Sequence, residues 1–313
     1  MGPVKVLVAD DSLVMRRLLE ASLTGWGYQP VSAPDGRQAW ELLNQPDPPP
    51  IAILDWMMPG MSGLEICRRL REREAPPYVY IILLTSRGLR EDIVEGMNAG
   101  ADDYVVKPFD KHELEVRLRA GRRIIELQTE LLRTQEKLRE QATRDPLTGV
   151  WNRATILEML ERELDRARRE PSSLGILLLD LDHFKQLNDT RGHQFGDQAL
   201  LQFARRIQSA VRSYDSFGRY GGEEFLILAP HCGRPELLSQ AERLRKAVAA
   251  GPFDVDGVAI ALTVSIGASS FQPGSPAGSL ELIRAADDAL YEAKRTGRNR
   301  VVYHPVAVAQ RVD

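Results

Sequence analysis

The feature that most constrains the fold is a regular alternation of short apolar runs with amphipathic stretches from residue 4 to about 120. The runs "VKVLVAD", "PVSA", "IAILD", "VYIILLTS" and "DYVVK" are strand-sized and rich in β-branched residues. Between them lie "SLVMRRLLEASL", "DGRQAWELLN", "GLEICRRLRERE" and "REDIVEGMNAG", which have helical patterning. Near-continuous apolar strands separated by helices imply a five-stranded parallel sheet, doubly wound, with helices on both faces. Ligands of such sheets collect at the carboxyl ends of the strands.

Acids stand at those ends. Asp10 and Asp11 close the first strand and Asp55 closes the third. Thr85 ends the fourth, and Lys107 follows the fifth, just before Pro108. Any one of them alone reads as a helix cap, but together they project from one edge. Three carboxylates crowded there repel each other unless a cation intervenes, and an all-oxygen donor set suits Mg²⁺. A hydroxyl and an ammonium beside them are what a phosphoryl group on Asp55 would need.

Between about 110 and 145 the strand signal stops. "KHELEVRLRAGRRIIELQTELLRTQEKLREQATRD" is rich in helix formers and lacks proline. Ala120, Ile124, Leu127, Leu131, Thr134, Leu138 and Gln141 alternate spacings of four and three, a short and partly polar heptad seam. This predicts a weak parallel coiled coil.

From Asp145 the pattern becomes mixed. Helices are expected at 152–169, 194–212, 235–249 and 279–296, with strands in "SLGILLLDLD" and "RVVYH". One hairpin is expected to turn at Gly221–Gly222 and another within "DVDG". Hairpins among helices imply an α+β domain with a mostly antiparallel sheet. After the first turn come Glu223 and Glu224, where a strand begins to bury. Neighbouring strand residues face opposite ways, so at least one carboxylate points toward an interior or a cleft. Asp180 and Asp182 share one face of the strand in "LGILLLDLDHFKQLND", and a hairpin beside it brings Glu223 toward Asp180. Divalent ions held there would serve a nucleoside triphosphate.

With 313 residues the chain has room for two domains. A net charge of −3 gives no global pull toward nucleic acid or an anionic membrane. The apolar runs are far shorter than a bilayer span, and "MGPVKVLVADD" enters a strand without a leader-like stretch. A cytoplasmic protein without membrane insertion is expected. Cys67 and Cys232 are too few for a disulfide framework or a zinc site and read as buried apolar side chains.

Asp10–Asp11, "LDWMMPGMSG", Thr85 and "ADDYVVKPF" together resemble the receiver domain of response regulators, placed at residues 1–122. That resemblance implies Asp55 as phosphoacceptor, with a sensor histidine kinase as phosphodonor. It implies Mg²⁺ on Asp10, Asp11, Asp55 and the Met57 carbonyl. Thr85 and Lys107 would bind phosphoryl oxygens, and Tyr104 would move inward on activation. Lys107–Pro108 is a candidate cis bond. Asp103 and Arg117 match positions that pair across receiver dimers, whereas Ile93 and Ala99 depart from that pattern.

After a helical linker at 123–143, residues 144–313 resemble the GGDEF family of diguanylate cyclases. The resemblance is carried by "RDPLTGVWNR", "DLDHFKQLNDTRGHQFGDQAL", "RYGGEEF" and "DDALYEAKRTGRNRV", with the signature reading GGEEF. It implies condensation of two GTP into cyclic di-GMP by a homodimer or higher homo-oligomer using Mg²⁺ or Mn²⁺. Asp180, the Leu181 carbonyl and Glu223 would hold metal, with Asp180 and Glu223 catalytic. Lys185, Lys294 and Arg298 would contact phosphates, the last two from one helix. Asn188 and Asp197 would read guanine, and Gly222 would lie closest to the nucleotide. Asp182, His183 and His193 read as structural. Arg212 and Asp215 form an R-x-x-D at the family's spacing for an inhibitory product site, which the alternative of a capped helix end also explains. Two rival readings are a non-catalytic cyclic di-GMP-binding effector and a cyclase making a mixed guanine–adenine product, the latter disfavoured by Asp197.

Overall fold

The computed structural model describes residues 2–73, 77–86 and 90–306, with the side chains of 90–93 left aside. Ile93 is therefore outside the described side chains. The chain divides into two compact units, Met1–Glu136 and Lys137–Asp313.

In the first unit, β1 (Lys5–Ala9), β2 (Gln29–Ala33), β3 (Ile51–Asp55), β4 (Tyr80–Thr85) and β5 (Asp103–Val106) form one sheet in the order β2-β1-β3-β4-β5. Every pairing is parallel. The expected doubly wound sheet is what the chain forms. Alternation along the strands sorts the core into two layers. Leu7, Leu54 and Leu83 pack under α2 (Gly36–Leu43) and α3 (Gly63–Arg71). Val8, Ile53 and Ile82 pack under α1 (Leu13–Gly25) and α5 (Lys111–Thr143). On the edge side, α4 (Arg90–Asn98) precedes β5, and Ala99 is buried. The Lys107–Pro108 peptide is cis.

The helix α5 continues without a break through the expected linker. Leu114 and Leu118 are buried, whereas Ile124, Leu127, Leu131 and Leu138 of the heptad seam are exposed.

In the second unit β6 (Leu174–Leu181), β7 (Ser216–Gly221), β8 (Glu224–Pro230), β11 (Val264–Phe271) and β12 (Val301–Tyr303) form a sheet in the order β12-β11-β6-β8-β7. All pairings are antiparallel except β11 with β12. Leu177, Leu179, Phe225 and Ile227 face α8 (His193–Ala210) and α9 (Arg234–Ala249). Ile176, Leu178, Leu226 and Leu228 face α6 (Arg153–Arg169) and α10 (Ser279–Arg295). A Cβ on Gly267 would stand 2.0 Å from the Ala286 carbonyl oxygen, so glycine there lets α10 lie directly on β11.

Several expectations require correction. Strand β11 is not separable from the second hairpin in the sequence, yet it is central and buried along its whole length. The hairpin in "DVDG" forms a separate ribbon of β9 (Phe253–Val255) and β10 (Val258–Ile260). A further helix, α7 (Phe184–Arg191), precedes α8. The first hairpin turns at Gly222–Glu223, not Gly221–Gly222, because the register slips at Tyr220: Arg219 pairs with Phe225 but Gly221 with Glu224. That is a β-bulge.

Candidate functional site

Two acidic sites are built by the ends of strands. In the first unit the parallel register carries Asp10, Asp55, Thr85 and Lys107 to the carboxyl edge. Oxygens of Asp10, Asp11 and Asp55 lie within 4.8 Å of one another. Asp10 is fully buried, and its Oδ1 accepts the Ser12 N–H at 2.9 Å. Lys107 Nζ donates to Asp10 Oδ2 at 2.7 Å and Asp55 Oδ1 at 2.8 Å. Burial raises the Asp55 pKa, assisted by the Asp10 charge and opposed by Lys107. Burial works against the Lys107 charge, yet hydrogen bonds to Asp10 and Asp55 outweigh it and raise that pKa. The two directions agree on one picture: one ammonium is fully used by two carboxylates and does not neutralise the cluster. Three convergent carboxylates with surplus negative charge fit a hard divalent cation. Thr85 is buried at the end of β4, and Met57 is exposed. Tyr104 packs partly into the core with the Arg117 guanidinium 5.6 Å from its ring centre. Arg117 is ion-paired to Asp103 and Glu113 of its own chain.

In the second unit a cleft of about 400 Å³ is lined by Asp180, Leu181, Lys185, Glu223, Lys294 and Arg298, among others. Asn188, Asp197 and Gly222 are outside that lining. Asp180 sits on the β6 face that α10 covers, and α10 supplies Lys294 to Asp180 Oδ2 at 2.7 Å. Burial pushes the Asp180 pKa up to about 6; Lys294 opposes this, and the Glu223 and Glu224 charges add to it. Strand register places Glu224, not Glu223, directly opposite Asp180, and burial raises the Glu224 pKa too. Sequence reasoning misses Glu224 as a site residue; its signal is strand parity, hidden by the bulge. Glu223 enters the cleft from the turn, and its carbonyl accepts from the Leu181 N–H at 3.5 Å. Asp180, Glu223 and the Leu181 backbone line the cleft together and offer oxygen donors of the kind that suit divalent cations, with Glu224 paired opposite Asp180 in the sheet.

Arg298 is not on the last helix as expected. Helix α10 ends at Arg295, and Gly297, Arg298 and Asn299 all take positive φ, which turns the chain back while keeping Arg298 at the cleft. Asp182 accepts from Thr263 Oγ1, Ser265 Oγ and the Asn299 N–H, so it pins this turn to β11. His183 is the left-handed N-cap residue of α7, and His193 begins α8. Asn188 Oδ1 lies against Gly196, where a Cβ would stand 1.8 Å away, so glycine there lets α7 and α8 close together beside the exposed Asp197.

Sequence reasoning also passes over Arg219. Its Nε and Nη2 donate to the Gly222 carbonyl at 2.9 and 2.7 Å, and Nη1 reaches both Asp145 oxygens at 3.2 Å. Burial works against the Asp145 charge, but Thr148 and Arg219 outweigh it and lower the pKa. The segment following α5 is thereby tied to the turn that carries Glu223. Arg212 and Asp215 stand just past α8, where Asp215 Oδ2 accepts the Arg212 N–H at 3.1 Å. That is the turn-capping geometry; Arg212 itself is exposed.

A family model described as diguanylate cyclase, GGDEF domain, matches residues 142–300, just over half of the chain. The chain belongs to the GGDEF family. This GGDEF protein also matches the response regulator receiver domain over residues 6–119. The response regulator PleD of Caulobacter vibrioides is 30% identical over 302 residues, covering 95% of this chain and 65% of PleD. Diguanylate cyclase DgcP of Pseudomonas aeruginosa is 43% identical over 166 residues, 53% of this chain and 24% of DgcP. The chain thus spans less than two thirds of the length of these relatives. The solved coiled coil and GGDEF domain of DgcB from Caulobacter crescentus, in complex with c-di-GMP, is 33% identical with a TM-score of 0.54. It covers 61% of this chain and 98% of its own. Among the described residues no helix is long and apolar enough to cross a membrane.

Proposed function

We propose that this GGDEF protein is a cytoplasmic, phosphorylation-regulated diguanylate cyclase that joins two GTP into cyclic di-GMP and releases two pyrophosphates. The observation that carries the reading is the cleft itself. Asp180 and Glu223 line it with Lys185, Lys294 and Arg298, a charge pattern suited to cations and a triphosphate together. Asp180, Glu223 and Glu224, with the Leu181 carbonyl, would hold Mg²⁺ or Mn²⁺. Bound there, the cations supply charge that polarises the attacking hydroxyl and neutralises the departing pyrophosphate. Lys294, paired with Asp180 in the free protein, is placed to turn to a phosphate oxygen once a cation takes Asp180. Lys185 and Arg298 would hold the remaining phosphate oxygens, and Asn188 and Asp197 would accept from guanine, with Gly222 allowing close approach. One domain holds one GTP, so the 3′-hydroxyl on one copy attacks the α-phosphorus on another and turnover needs a homodimer or higher homo-oligomer.

The exposed heptad stripe of α5 supports pairing through the connector, and the acid cluster at Asp55 supports control by a sensor histidine kinase. Residues 1–122, 123–143 and 144–313 would then act as receiver, linker and cyclase. Arg212 and Asp215 would bind product as a feedback inhibitor.

Incubating the purified protein with GTP and Mg²⁺ and resolving the nucleotides by chromatography tests this. Cyclic di-GMP formed by the wild type and absent with Glu223→Ala supports the reading. Binding of cyclic di-GMP without turnover, with or without a phosphodonor, makes the protein an effector instead.

A further inference from the structure

Four buried side-chain oxygens among the described residues have no hydrogen-bond partner, and two of them belong to one contact: Asp215 Oδ1 and Gln240 Oε1. Gln240 projects from α9 and is 2% exposed. Its Nε2 donates to Asp215 Oδ2 at 2.6 Å, the same oxygen that accepts the Arg212 N–H. Both donors converge on Oδ2 and leave Oδ1 with none. The carboxamide orientation follows from this contact, since the opposite flip would set Oε1 against a carboxylate oxygen. Two acceptors on touching residues are thus left without a donor, and each is destabilising until one arrives.

We propose that Gln240 and Asp215 together form a paired acceptor for the edge of a guanine, which makes Gln240 a specificity-determining residue of the Arg212–Asp215 site. The inference rests on the reading of that site as one that takes product. Guanine presents two adjacent donors, N1–H and the 2-amino group. Adenine offers an acceptor at N1, and hypoxanthine keeps N1–H but lacks the amino group. With Oδ2 engaged by the Arg212 N–H and Gln240 Nε2, Asp215 offers one unengaged oxygen, which N1–H of guanine or of hypoxanthine satisfies equally; a second acceptor on Gln240 distinguishes them. The exposed Arg212 guanidinium, hydrogen-bonded at 3.1 Å to the exposed Tyr214, stays available to a phosphate. Neither acceptor touches solvent in the free protein, so binding of the base requires a local rearrangement that uncovers them.

The test is calorimetric titration of the full chain with cyclic di-GMP and with its inosine analogue, for wild type, Gln240→Met and Arg212→Ala. Methionine keeps the length and burial of the side chain without the amide oxygen. The expected result is a preference of about tenfold or more for the guanine ligand in the wild type, reduced several-fold in Gln240→Met through weaker guanine binding alone, the remainder of the preference coming from the Asp215 oxygen that the substitution frees. Thermal melting of each variant confirms that it is folded. Equal weakening of both ligands, or an unchanged preference, overturns the role of Gln240. If Arg212→Ala binds both ligands as the wild type does, the product-site reading falls and this inference with it. Arg212-dependent binding with a preference that Gln240→Met leaves intact overturns only the inference.

Discussion

The two acidic sites use the same device in different states of completion. Each gathers carboxylates at strand ends and sets one lysine from a distant element against them. Lys107 bridges Asp10 and Asp55, so two of the three acids of the first site are held by the chain's own cation. Among the described residues Lys294 pairs with Asp180, Glu223 and Glu224 press on that acid, and the Asp180 carboxyl is pushed up to about 6. The first site is positioned almost entirely by strand ends. The second depends on a turn, Gly222–Glu223, that is itself held by Arg219. Under the proposed function the first site switches on one added phosphoryl group, which works best when its groups stand in place before that group arrives. Under the same proposal the second site takes in and releases a triphosphate with its cations, which works best when its carboxylates are left unsatisfied in the free protein.

The largest effect separating the two is expected on catalysis. Asp180→Ala and Glu223→Ala should each lower cyclic di-GMP synthesis by roughly a thousandfold or more, an order expected when charge stabilisation at the reacting phosphorus is lost. Because they remove crowded acids, neither should lower the melting temperature of the metal-free protein. Substantial turnover by Glu223→Ala, measured by chromatography, would break the assignment of the turn acid to metal.

Next in size is the proposed control of the cyclase by the receiver. Stimulation by a phosphodonor or by beryllium fluoride should fall in the range of about 5- to 150-fold that coupling between sites commonly reaches, and Asp55→Asn should abolish it. The required physical source is stronger pairing of the phosphorylated form, so sedimentation velocity should show the larger species appear with the activity. An Asp55→Asn protein whose rate and assembly respond as the wild type's do would separate the two sites functionally.

Much of this layout is legible in the sequence, and the failures have local causes. The parallel sheet reads directly, because strands such as Ile51–Asp55 and Tyr80–Thr85 are buried on both faces and hence apolar throughout. Strand β11, "VSIGASSF", is just as buried, but its second half is largely Gly, Ala and Ser, and at Gly267 α10 lies too close for any side chain. Its composition therefore resembles a loop. The Gly-Gly pair suggests the turn, but the bulge at Tyr220 shifts it by one residue, and no dipeptide preference carries that information. The same shift determines that Glu224 faces Asp180. Arg219 stands within the "RYGGEEF" motif, yet its meaning comes from Asp145, far upstream in the chain. The helix pattern carries Arg298 one turn too far, because the three left-handed residues that follow α10 leave the pattern of charges unchanged.

The pH dependence should differ between metal-free and metal-loaded protein. Asp180 is raised from an ordinary value near 3.8 to about 6 in the folded state. Its protonated form is thus favoured by folding: the stabilisation is fully present below about pH 4 and is lost as pH rises through about 6. The span corresponds to about 3 kcal/mol. Denaturant unfolding of wild type against Asp180→Asn, without divalent cations, should reveal that difference. Cation binding must displace the proton, so apparent Mg²⁺ affinity at the cleft should rise up to tenfold per unit as pH approaches about 6, then level off. A difference in stability between the two proteins that does not vary with pH would show that Lys294 offsets the burial of the Asp180 charge in full.

The smallest expected effect tests whether the second site is held from outside its own carboxylates. Arg219 forks between the Gly222 carbonyl and both oxygens of Asp145, a planar geometry that one ammonium cannot reproduce. Arg219→Lys keeps the charge and forfeits the fork. The Gly222 carbonyl then loses two donors while Asp145 keeps its Thr148 hydrogen bonds, so the fold should survive with a loss of about 1–2 kcal/mol. The turn bearing Glu223 gains freedom, and cations should bind more weakly in consequence. Turnover at limiting Mg²⁺ should fall several-fold and recover largely at saturating Mg²⁺, whereas a purely structural defect would lower the rate equally at every concentration. Asp145→Asn, which leaves the contact to Gly222 in place, should show the same trend more weakly. A rate deficit in Arg219→Lys that ignores Mg²⁺ would mean that Glu223 is positioned by the strand ends alone, and the contrast between the two acidic sites would then rest on charge and not on how they are held.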